Sequence, residues 1–341
     1  MPASQTDIAR KLGVSQRTVS AVLNNNGRIG EKTREKVLKA CEEMGYQPNR
    51  LASGLRGSRT HAIGAIWPVG DPWAGDSAIS LSLVKLLNAE SLATYSAPAT
   101  QDLEVLVQQI HELSGRGVDA LFLHAIPSLL RNEKILEALR PIPAVVAVSR
   151  EEVPEFPGEL VVHDRYAAIR DIVAHFAKTG RKRLAILIEP TEESNPPKIN
   201  VFKEACRVHG LGEHPHSVIP MLKAKDPREH SEYHRDAIRK AFGSGKVDVD
   251  AIFCVNDVGA LYVMRELQDR GIRIPEDVAV VGLNNAPTGV VWSPALATVD
   301  RMHDEVAKLV FSLVMDKIEH PENEKQVRTV HMKFIPRESA G

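Results

Sequence analysis

The chain has 341 residues, 43% of them hydrophobic, and is therefore long enough for two or three domains with full apolar cores. Its net charge of −1 hides an uneven distribution, because residues 1–60 carry eleven Lys or Arg against five Asp or Glu, and the remainder carries −7. This basic start on an acidic body excludes an evenly charged chain. It indicates a protein that meets phosphates at one end only, with an ordinary solvated face as the alternative.

We expect no membrane span, since the chain has no run of about 18 apolar residues, and no signal peptide, since residues 1–20 are polar and predicted to be helical. Cys41, Cys206 and Cys254 are far apart and form no CxxC pair. They are predicted to be small buried apolar residues in a reducing compartment. The sequence therefore predicts a cytoplasmic protein.

Motifs for a nucleotide-binding loop, a nucleophile elbow and a zinc site are all missing. His230 and His234 lie four residues apart on a predicted helix, but no third ligand accompanies them, so we interpret them as part of a solvated face. We therefore expect no metal, no cofactor and no catalysis. A parallel-sheet body could host an enzyme in principle, but nothing supplies a nucleophile with a paired base.

Residues 4–24 predict two short helices around a tight turn, in the sequence SQTDIARKLGVSQRTVSAVLN. Each helix has one apolar face, and the turn has the length of a helix-turn-helix. Ser4 and Asp7 are spaced for a capping box, and Ser15 is a good N-cap for the second helix. The apolar faces comprise Ile8, Ala9 and Leu12 in the first helix, and Val19, Val22 and Leu23 in the second.

The first turn of the second helix presents Gln16 and Arg17 away from that apolar face. A recognition helix reads bases from its N-terminal end, where arginine suits guanine and glutamine suits adenine. The pattern therefore favours DNA binding, and a pair of surface helices with solvated charges is the alternative.

A third helix is predicted over residues 31–44, with Val37, Leu38, Cys41 and Met44 at helical spacing and Gly45 ending it. Residues 49–56 follow Pro48 and are too short for a stable isolated helix. This segment is either a plain linker or a part of the chain that orders on binding. Leu55 with its neighbour Arg56 suits insertion into a minor groove.

From His61 the pattern changes to alternating strands and helices, which predicts an α/β body with a buried parallel sheet in each of two doubly wound lobes. A cleft is expected at the carboxyl ends of the strands. Strands are predicted at residues 63–67, 92–96, 120–124, 144–148, 184–188, 217–220, 251–255, 278–283 and 330–335. Helices are predicted at residues 77–88, 102–114, 129–139, 166–178, 198–209, 228–242, 258–270 and 302–318.

Several segments together resemble the lactose-repressor/galactose-repressor (LacI/GalR) family of bacterial transcription regulators, along essentially the whole chain and in the family's order. They are DIARKLGVSQRTVSAVLN, KTREKVLKACEEMGYQPN, IGAIWP, AIFCVNDVGALYVMRELQDRGIRIPEDVAVVGLNN, PALATV and FIPRES. The resemblance implies a homodimer that reads a near-palindromic operator with two helix-turn-helix heads. It also implies a periplasmic-binding-protein-like body of type I that senses a small effector, so that allostery links effector to DNA.

The resemblance further implies three crossings between the lobes, near residues 159–163, 285–293 and 327–330, so that the last strand belongs to the second lobe. The expected domains are a head (1–47), a hinge helix and linker (48–60), an N-lobe (61–160 with 290–326) and a C-lobe (161–289 with 327–341).

By resemblance, Gln16 and Arg17 are the main base readers, and Ser15, Thr18 and Ser20 contact phosphates. Ala21 replaces a frequent arginine and is expected to touch a thymine methyl. The resemblance makes residues 49–56 a hinge helix whose Leu55 wedges into the central base step. The predicted DNA-binding set is completed by Ser4, Asn24, Asn49 and Arg56.

Two effector-binding candidates follow the first predicted strand and one follows the fourth. Trp73 lies where the family places an aromatic residue against its ligand, with Asp71 beside it, and could equally be a surface tryptophan. Arg150 either faces the cleft or forms an ion pair at its rim.

Three further effector-binding candidates lie in the second lobe. Lys198 begins a helix where the family often has an arginine, or is a surface lysine. Asp257 binds the effector, caps the helix that follows, or does both. Asn284 stands where many sugar-binding members have Asp, and its amide cannot form the same charge-assisted bond.

The predicted function is therefore a DNA-binding repressor controlled by a small effector, namely a sugar, sugar acid or sugar phosphate. The alternative is a cytoplasmic small-molecule-binding module without DNA regulation.

Overall fold

The computed structural model describes residues 3–23, 29–46, 59–67, 77–188, 195–221, 230–243 and 246–341. The chain forms two compact units, residues 1–61 and 62–341. In the first unit, here called the head, the described elements are α1 (Gln5–Leu12), α2 (Gln16–Leu23) and α3 (Glu31–Glu43). The third helix confirms the predicted one to within a residue, and α1 and α2 lie on either side of the predicted turn.

The head has a small core that draws on all three helices. Ile8 from α1, Val19 from α2 and Val37 from α3 are fully buried together. An ion pair of 2.7 Å from Lys11 Nζ to Glu43 Oε2 joins α1 to the end of α3. Leu38 is half exposed, so the predicted apolar face of α3 is narrower than its sequence suggested.

The first lobe of the body is built on a six-stranded parallel sheet with the order β11-β5-β4-β3-β1-β2. Successive residues of the central strands alternate between two buried faces, which explains their continuous apolar runs. The strands are β1 (Ala62–Trp67), β2 (Ala93–Pro98), β3 (Ala120–His124), β4 (Val145–Ser149), β5 (Glu159–Asp164) and β11 (Val327–His331).

Helices cover both faces of this sheet. One face carries α4 (Ser77–Ala89) and α13 (His303–Glu319), and the opposite face carries α5 (Leu103–Gly115), α6 (Pro127–Leu130) and α7 (Glu133–Leu139). The helix predicted over residues 129–139 is thus two shorter helices, because Asn132 caps the second one through its side chain.

The second lobe has a four-stranded parallel sheet with the order β7-β6-β8-β9. One face packs against α8 and α9, and the other against α10 and α11. The strands are β6 (Leu184–Ile188), β7 (Val218–Pro220), β8 (Ala251–Cys254) and β9 (Ala279–Val281). The helices are α8 (Tyr166–Lys178), α9 (Asn195–Val208), α10 (His230–Phe242) and α11 (Asp257–Asp269).

After β9 the chain forms, among other elements, the short helix α12 (Pro287–Val291) and the strands β10 (Thr298–Asp300) and β12 (Lys333–Ile335). The helix α12 and the strand β10 were not predicted, and β10 pairs antiparallel with β12. A parallel bridge between Val281 and Ala297 attaches this pair to the second sheet.

The strand pairing corrects the predicted crossings. Residues 159–163 lie in β5, paired with β4 in the first sheet, and residues 327–330 lie in β11, paired with β5 in that same sheet. Both segments are therefore strands of the first lobe, because β5 forms its backbone hydrogen bonds with β4 on one side and β11 on the other. The predicted last strand divides, since β11 belongs to the first lobe and β12 packs with the second.

The predicted return at residues 285–293 is also shifted. Leu296, Ala297 and Val299 are buried in the cores of the second lobe, so the chain reaches the first lobe only after β10. The helix that follows, α13, packs on the first sheet as predicted.

The three cysteines are free and buried, as predicted. No helix in the described ranges is long and apolar enough to cross a membrane. His234 is buried against α11, so it does not belong to the solvated face expected for it. Within the same ranges, no group of three His, Cys, Asp or Glu could hold a metal ion.

Candidate functional site

The first helix of the head begins with a closed capping box. The Asp7 backbone amide donates to Ser4 Oγ at 3.2 Å, and the Ser4 backbone amide donates to Asp7 Oδ2 at 3.0 Å. The Ser4 hydroxyl first, and then the Ser4 amide, lower the pKa of Asp7, because both donate to its carboxylate. Gly13 ends the helix in the left-handed region, with φ at +67°, which favours glycine. The predicted box and turn therefore set the position of the second helix.

The second helix starts at Ser15, whose Oγ accepts a hydrogen bond from the Thr18 amide at 3.0 Å. The Thr18 hydroxyl lies 2.9 Å from the same oxygen. Gln16 and Arg17 follow in the first turn and are exposed, while Val19 is buried in the head core. The helix thus presents its two predicted base readers to solvent from its N-terminal end, the geometry that a recognition helix requires.

Ser20 and Ala21 are partly exposed along α2. Six other predicted site residues lie outside the described residues, and their positions stay predictions: Asn24, Asn49, Leu55, Arg56, Asp71 and Trp73.

In the body, charged side chains follow the carboxyl ends of three strands. Arg150 follows β4, Arg165 follows β5, and Arg301 follows β10, and each is half-buried. Arg150 and Arg165 both act electrostatically on the Tyr166 hydroxyl, although burial of that group dominates and raises its pKa. We call Arg150, Arg165 and Arg301 the arginine cluster.

His163 connects the cluster to the segment that enters the first lobe. Its Nε2 lies 2.5 Å from the Arg301 carbonyl oxygen, so this nitrogen is the donor. Burial first, and then the positive charge of Arg301, lowers the pKa of His163 to about 2. The imidazole is therefore neutral at physiological pH and adds no positive charge.

Asn284 comes from the second lobe and meets the same segment. Its side chain is buried, and its Oδ1 accepts a hydrogen bond of 3.4 Å from Arg301. Its backbone φ is +122°, a conformation that residues with a side chain rarely adopt. Its backbone amide donates to the Val299 carbonyl at 2.9 Å. The contact brings a predicted effector-binding residue beside the arginine cluster.

Asp257 is almost completely buried at the start of α11. One carboxylate oxygen accepts from the Thr298 hydroxyl at 2.5 Å, and the other from the Ala286 amide at 2.6 Å. Burial raises the pKa of this carboxyl, against the effect of these hydrogen bonds. The N-cap of α11 is Asn256, whose side chain accepts from the Gly259 amide, so the capping role predicted for Asp257 is wrong.

Lys198 lies in the first turn of α9 and is half-buried. The structure therefore places Asn284 against Arg301 and Arg150 near Tyr166, and it gives Asp257 an internal role. Sequence reasoning missed Arg165, Arg301 and His163. The apolar run that precedes Arg165 was an available signal, but it was interpreted as a crossing, whereas β10, which positions Arg301, was not predicted at all.

Residues 6–49 match the family model described as bacterial regulatory proteins, lacI family, and residues 173–340 match the model for the periplasmic binding protein-like domain. The HTH-type transcriptional repressor PurR of Vibrio cholerae is 26% identical over 99% of this chain and 98% of that protein.

Two solved structures have the same fold. A lac repressor dimer bound to operator and an anti-inducer has a TM-score of 0.81 and 18% identity over 99% of each chain. The transcriptional regulator CelR in complex with cellobiose has a TM-score of 0.67 and 24% identity, covering 99% of this chain and 100% of that one.

Proposed function

We propose that the chain is a DNA-binding transcriptional regulator of the lacI family, and that it is a repressor released or recruited by a small effector. The matches of residues 6–49 and 173–340 to the two family models support this proposal. The effector is a sugar or sugar derivative bound between the two lobes of the body. The protein senses this ligand rather than transforming it, and acts on DNA in the bacterial cytoplasm.

The DNA-reading part of the proposal rests on α2. Gln16 and Arg17 read base edges in a major groove, while Ser15, Thr18 and Ser20 contact phosphates and Ala21 meets a thymine methyl. In the closed capping box both the backbone amide and the hydroxyl of Ser4 already donate to Asp7, so a phosphate bound by Ser4 would have to share or replace these hydrogen bonds. Asn24, Asn49, Leu55 and Arg56 complete the surface in this proposal.

The chain acts as a homodimer on a near-palindromic operator. Recognition helices of such dimers lie about one DNA turn apart, about 34–36 Å. Support comes from the relative PurR, which is named a transcriptional repressor, and from the lac repressor dimer on its operator.

The effector part of the proposal assigns the ligand to the carboxyl ends of the parallel strands, where open α/β sheets bind ligands. Arg150 and Asn284 line the site with Asp71, Trp73 and Lys198, and Asp257 holds its wall. Support comes from the CelR structure, which contains cellobiose. The proposed domains follow the observed strands, with β5 and β11 in the N-lobe and β10 and β12 in the C-lobe.

The observation that carries the proposal is the exposed N-terminal turn of α2 in a head whose sequence bears +6. Footprinting of genomic fragments with and without candidate metabolites tests it. We expect a protected palindrome in one condition only, and protection of no site in any condition would contradict the proposal.

A second measurement separates a regulator from a ligand-binding module. A head that neutralises phosphates gives a steep fall of affinity with salt, whereas a ligand carrier gives none. The two affinities must also be linked, so that effector and operator change one another's binding by the same factor.

A further inference from the structure

Residues 337–340, which include the end of the FIPRES segment, contact the part of the second lobe that precedes β10. Ser339 is fully buried there. Its hydroxyl donates to the Val280 carbonyl at 2.6 Å and accepts from the Ala297 amide at 2.8 Å. These contacts fasten residues 337–340 to the second lobe, and we call this segment the strap.

Arg337, at the start of the strap, also holds the loop that carries Asn284. Its Nη2 donates to Asn285 Oδ1 at 2.6 Å, and its Nη1 donates to the Leu296 carbonyl at 2.8 Å. Asn284 and Asn285 both have positive φ values, +122° and +52°, which are uncommon for residues with a side chain. Such a backbone persists where the surrounding structure fixes it, and Arg337 supplies part of that restraint.

The side-chain amide of Asn285 connects this loop to the segment that enters the first lobe. Its Nδ2 donates to Asp300 Oδ2 at 2.9 Å, and Asp300 Oδ1 accepts from the Met302 backbone amide at 2.6 Å. Met302 is the N-cap residue of α13 and has a φ of +55°. An amide suits this position because its oxygen accepts from a guanidinium while its nitrogen donates to a carboxylate.

The first turn of α13 in turn contacts a second helix of the first lobe. Asp304 Oδ1 accepts from the Ser82 hydroxyl at 2.5 Å, which joins α13 to α4. Val306 of α13 and Leu83 of α4 are buried in the same core on the first sheet. Hydrogen bonds joined by short stretches of backbone therefore lead from the strap in the second lobe to two helices of the first.

From these contacts we infer that Arg337, Asn285 and Asp300 form a relay by which the loop carrying Asn284 positions α13 and α4. The inference deepens the proposed function, because Asn284 belongs to the proposed effector site. A ligand that displaces this loop moves the Asn285 amide, and with it the carboxylate that holds the first turn of α13. Arg337 is a positioning residue, because it acts on the site through Asn285.

Hydrogen–deuterium exchange of the full chain without ligand measures the far end of the relay. Asn285→Asp keeps an acceptor for Arg337 but sets a second carboxylate beside that of Asp300, so it breaks only the link to the first lobe. We expect peptides that cover the first turn of α13 to exchange at least about fivefold faster, and those of α4 to follow. Peptides of the strap should stay within about twofold of the parent.

Arg337→Gln breaks the other link and should accelerate exchange both in the strap and in the first turn of α13. The matched control is Ser339→Ala, which removes two hydrogen bonds of the same strap outside the relay. The control should accelerate exchange in the second lobe and leave the first turn of α13 within about twofold of the parent.

A double variant separates one relay from two independent effects. Asp300→Asn leaves one acceptor oxygen for two donors, the Asn285 side chain and the Met302 amide, so it breaks one of the two links. Combined with Arg337→Gln, it should accelerate exchange of α13 by no more than about twofold over the larger single effect. Single effects that multiply in the double variant would overturn the inference.

Unchanged exchange of α13 in the Asn285→Asp variant would also overturn it, as would equal acceleration by Asn285→Asp and Ser339→Ala. Operator footprinting on the parent chain tests the proposed function separately. A chain that protects an operator but shows no response of α13 refutes the relay and leaves the proposed function standing. A responding α13 without any protected operator supports the relay and refutes the regulator.

Discussion

Substitution of Asp257 tests whether this residue stabilises the second lobe or binds the ligand in the proposed cleft. Replacing it by alanine deletes the acceptor of the Thr298 hydroxyl and of the Ala286 amide, two hydrogen bonds inside the second lobe. Hydrogen bonds to a charged group contribute about 1.5–3 kcal/mol each, and removal of the buried charge offsets part of their loss. We therefore expect Asp257→Ala to lower the free energy of unfolding by about 3 kcal/mol.

Asp257→Asn keeps the shape and one acceptor oxygen, so its cost is expected to be about 1 kcal/mol. Urea unfolding of the full chain, followed by tryptophan fluorescence, measures both variants. Glu305→Ala, at an exposed site on α13, serves as the control and should change stability by less than about 0.5 kcal/mol.

The pH dependence has a definite sign. Burial raises the pKa of Asp257 above its ordinary value of 3.8, so the folded protein binds this proton more tightly than the unfolded chain does. The contribution of this group to stability is therefore fully present below about pH 4 and is lost as the pH rises through the folded pKa. Asp257→Asn should remove this pH dependence of stability between about pH 4 and the folded pKa of Asp257.

A loss below about 1 kcal/mol for Asp257→Ala would refute this account of Asp257. If stability stays at the parental value while effector affinity falls, the carboxylate contacts the ligand instead of holding the wall of the site.

Three other substitutions test the recognition helix, the second lobe and the segment before the body. Arg17→Ala should cost about 1–3 kcal/mol on the cognate operator and relax one base position, measured by binding to a set of single-base variants; an equal loss on every sequence would identify a phosphate contact. Gly259→Ala should destabilise the second lobe by about 1–3 kcal/mol in thermal unfolding, because its Cβ would lie 2.2 Å from the buried ring of His234; an unchanged Tm would show that the ring moves freely. Leu55→Ala should weaken specific operator binding and leave effector affinity of the free protein unchanged, and a change in effector affinity without DNA would contradict the wedge role.

Local signals in the sequence were sufficient for the head. The spacing of Ser4 and Asp7 predicted the capping box, and Gly13 and Ser15 predicted the turn that separates α1 from α2. These interactions join residues at most a few positions apart, so short-range chemistry decides them. The exposed position of Gln16 and Arg17 followed from the same periodicity.

The order of strands in the body could be predicted only in part. Buried parallel strands such as β3 and β6 have continuous apolar runs, and their bounds were predicted to the residue. The strand β5 was predicted as a crossing, because the edge that holds it is completed by β11, more than 160 residues later. Only tertiary pairing decides where such a segment lies.

The sequence by itself determined a basic helix-turn-helix head and a two-lobed α/β body, because both depend on periodicity, capping and composition. The tertiary structure decided which charges meet. Arg165 and Arg301 follow strands of two different sheets, and only the tertiary fold brings both charges to His163. The same folding turned Asp257 inward to Thr298, a residue 41 positions away, and no local pattern encodes that contact.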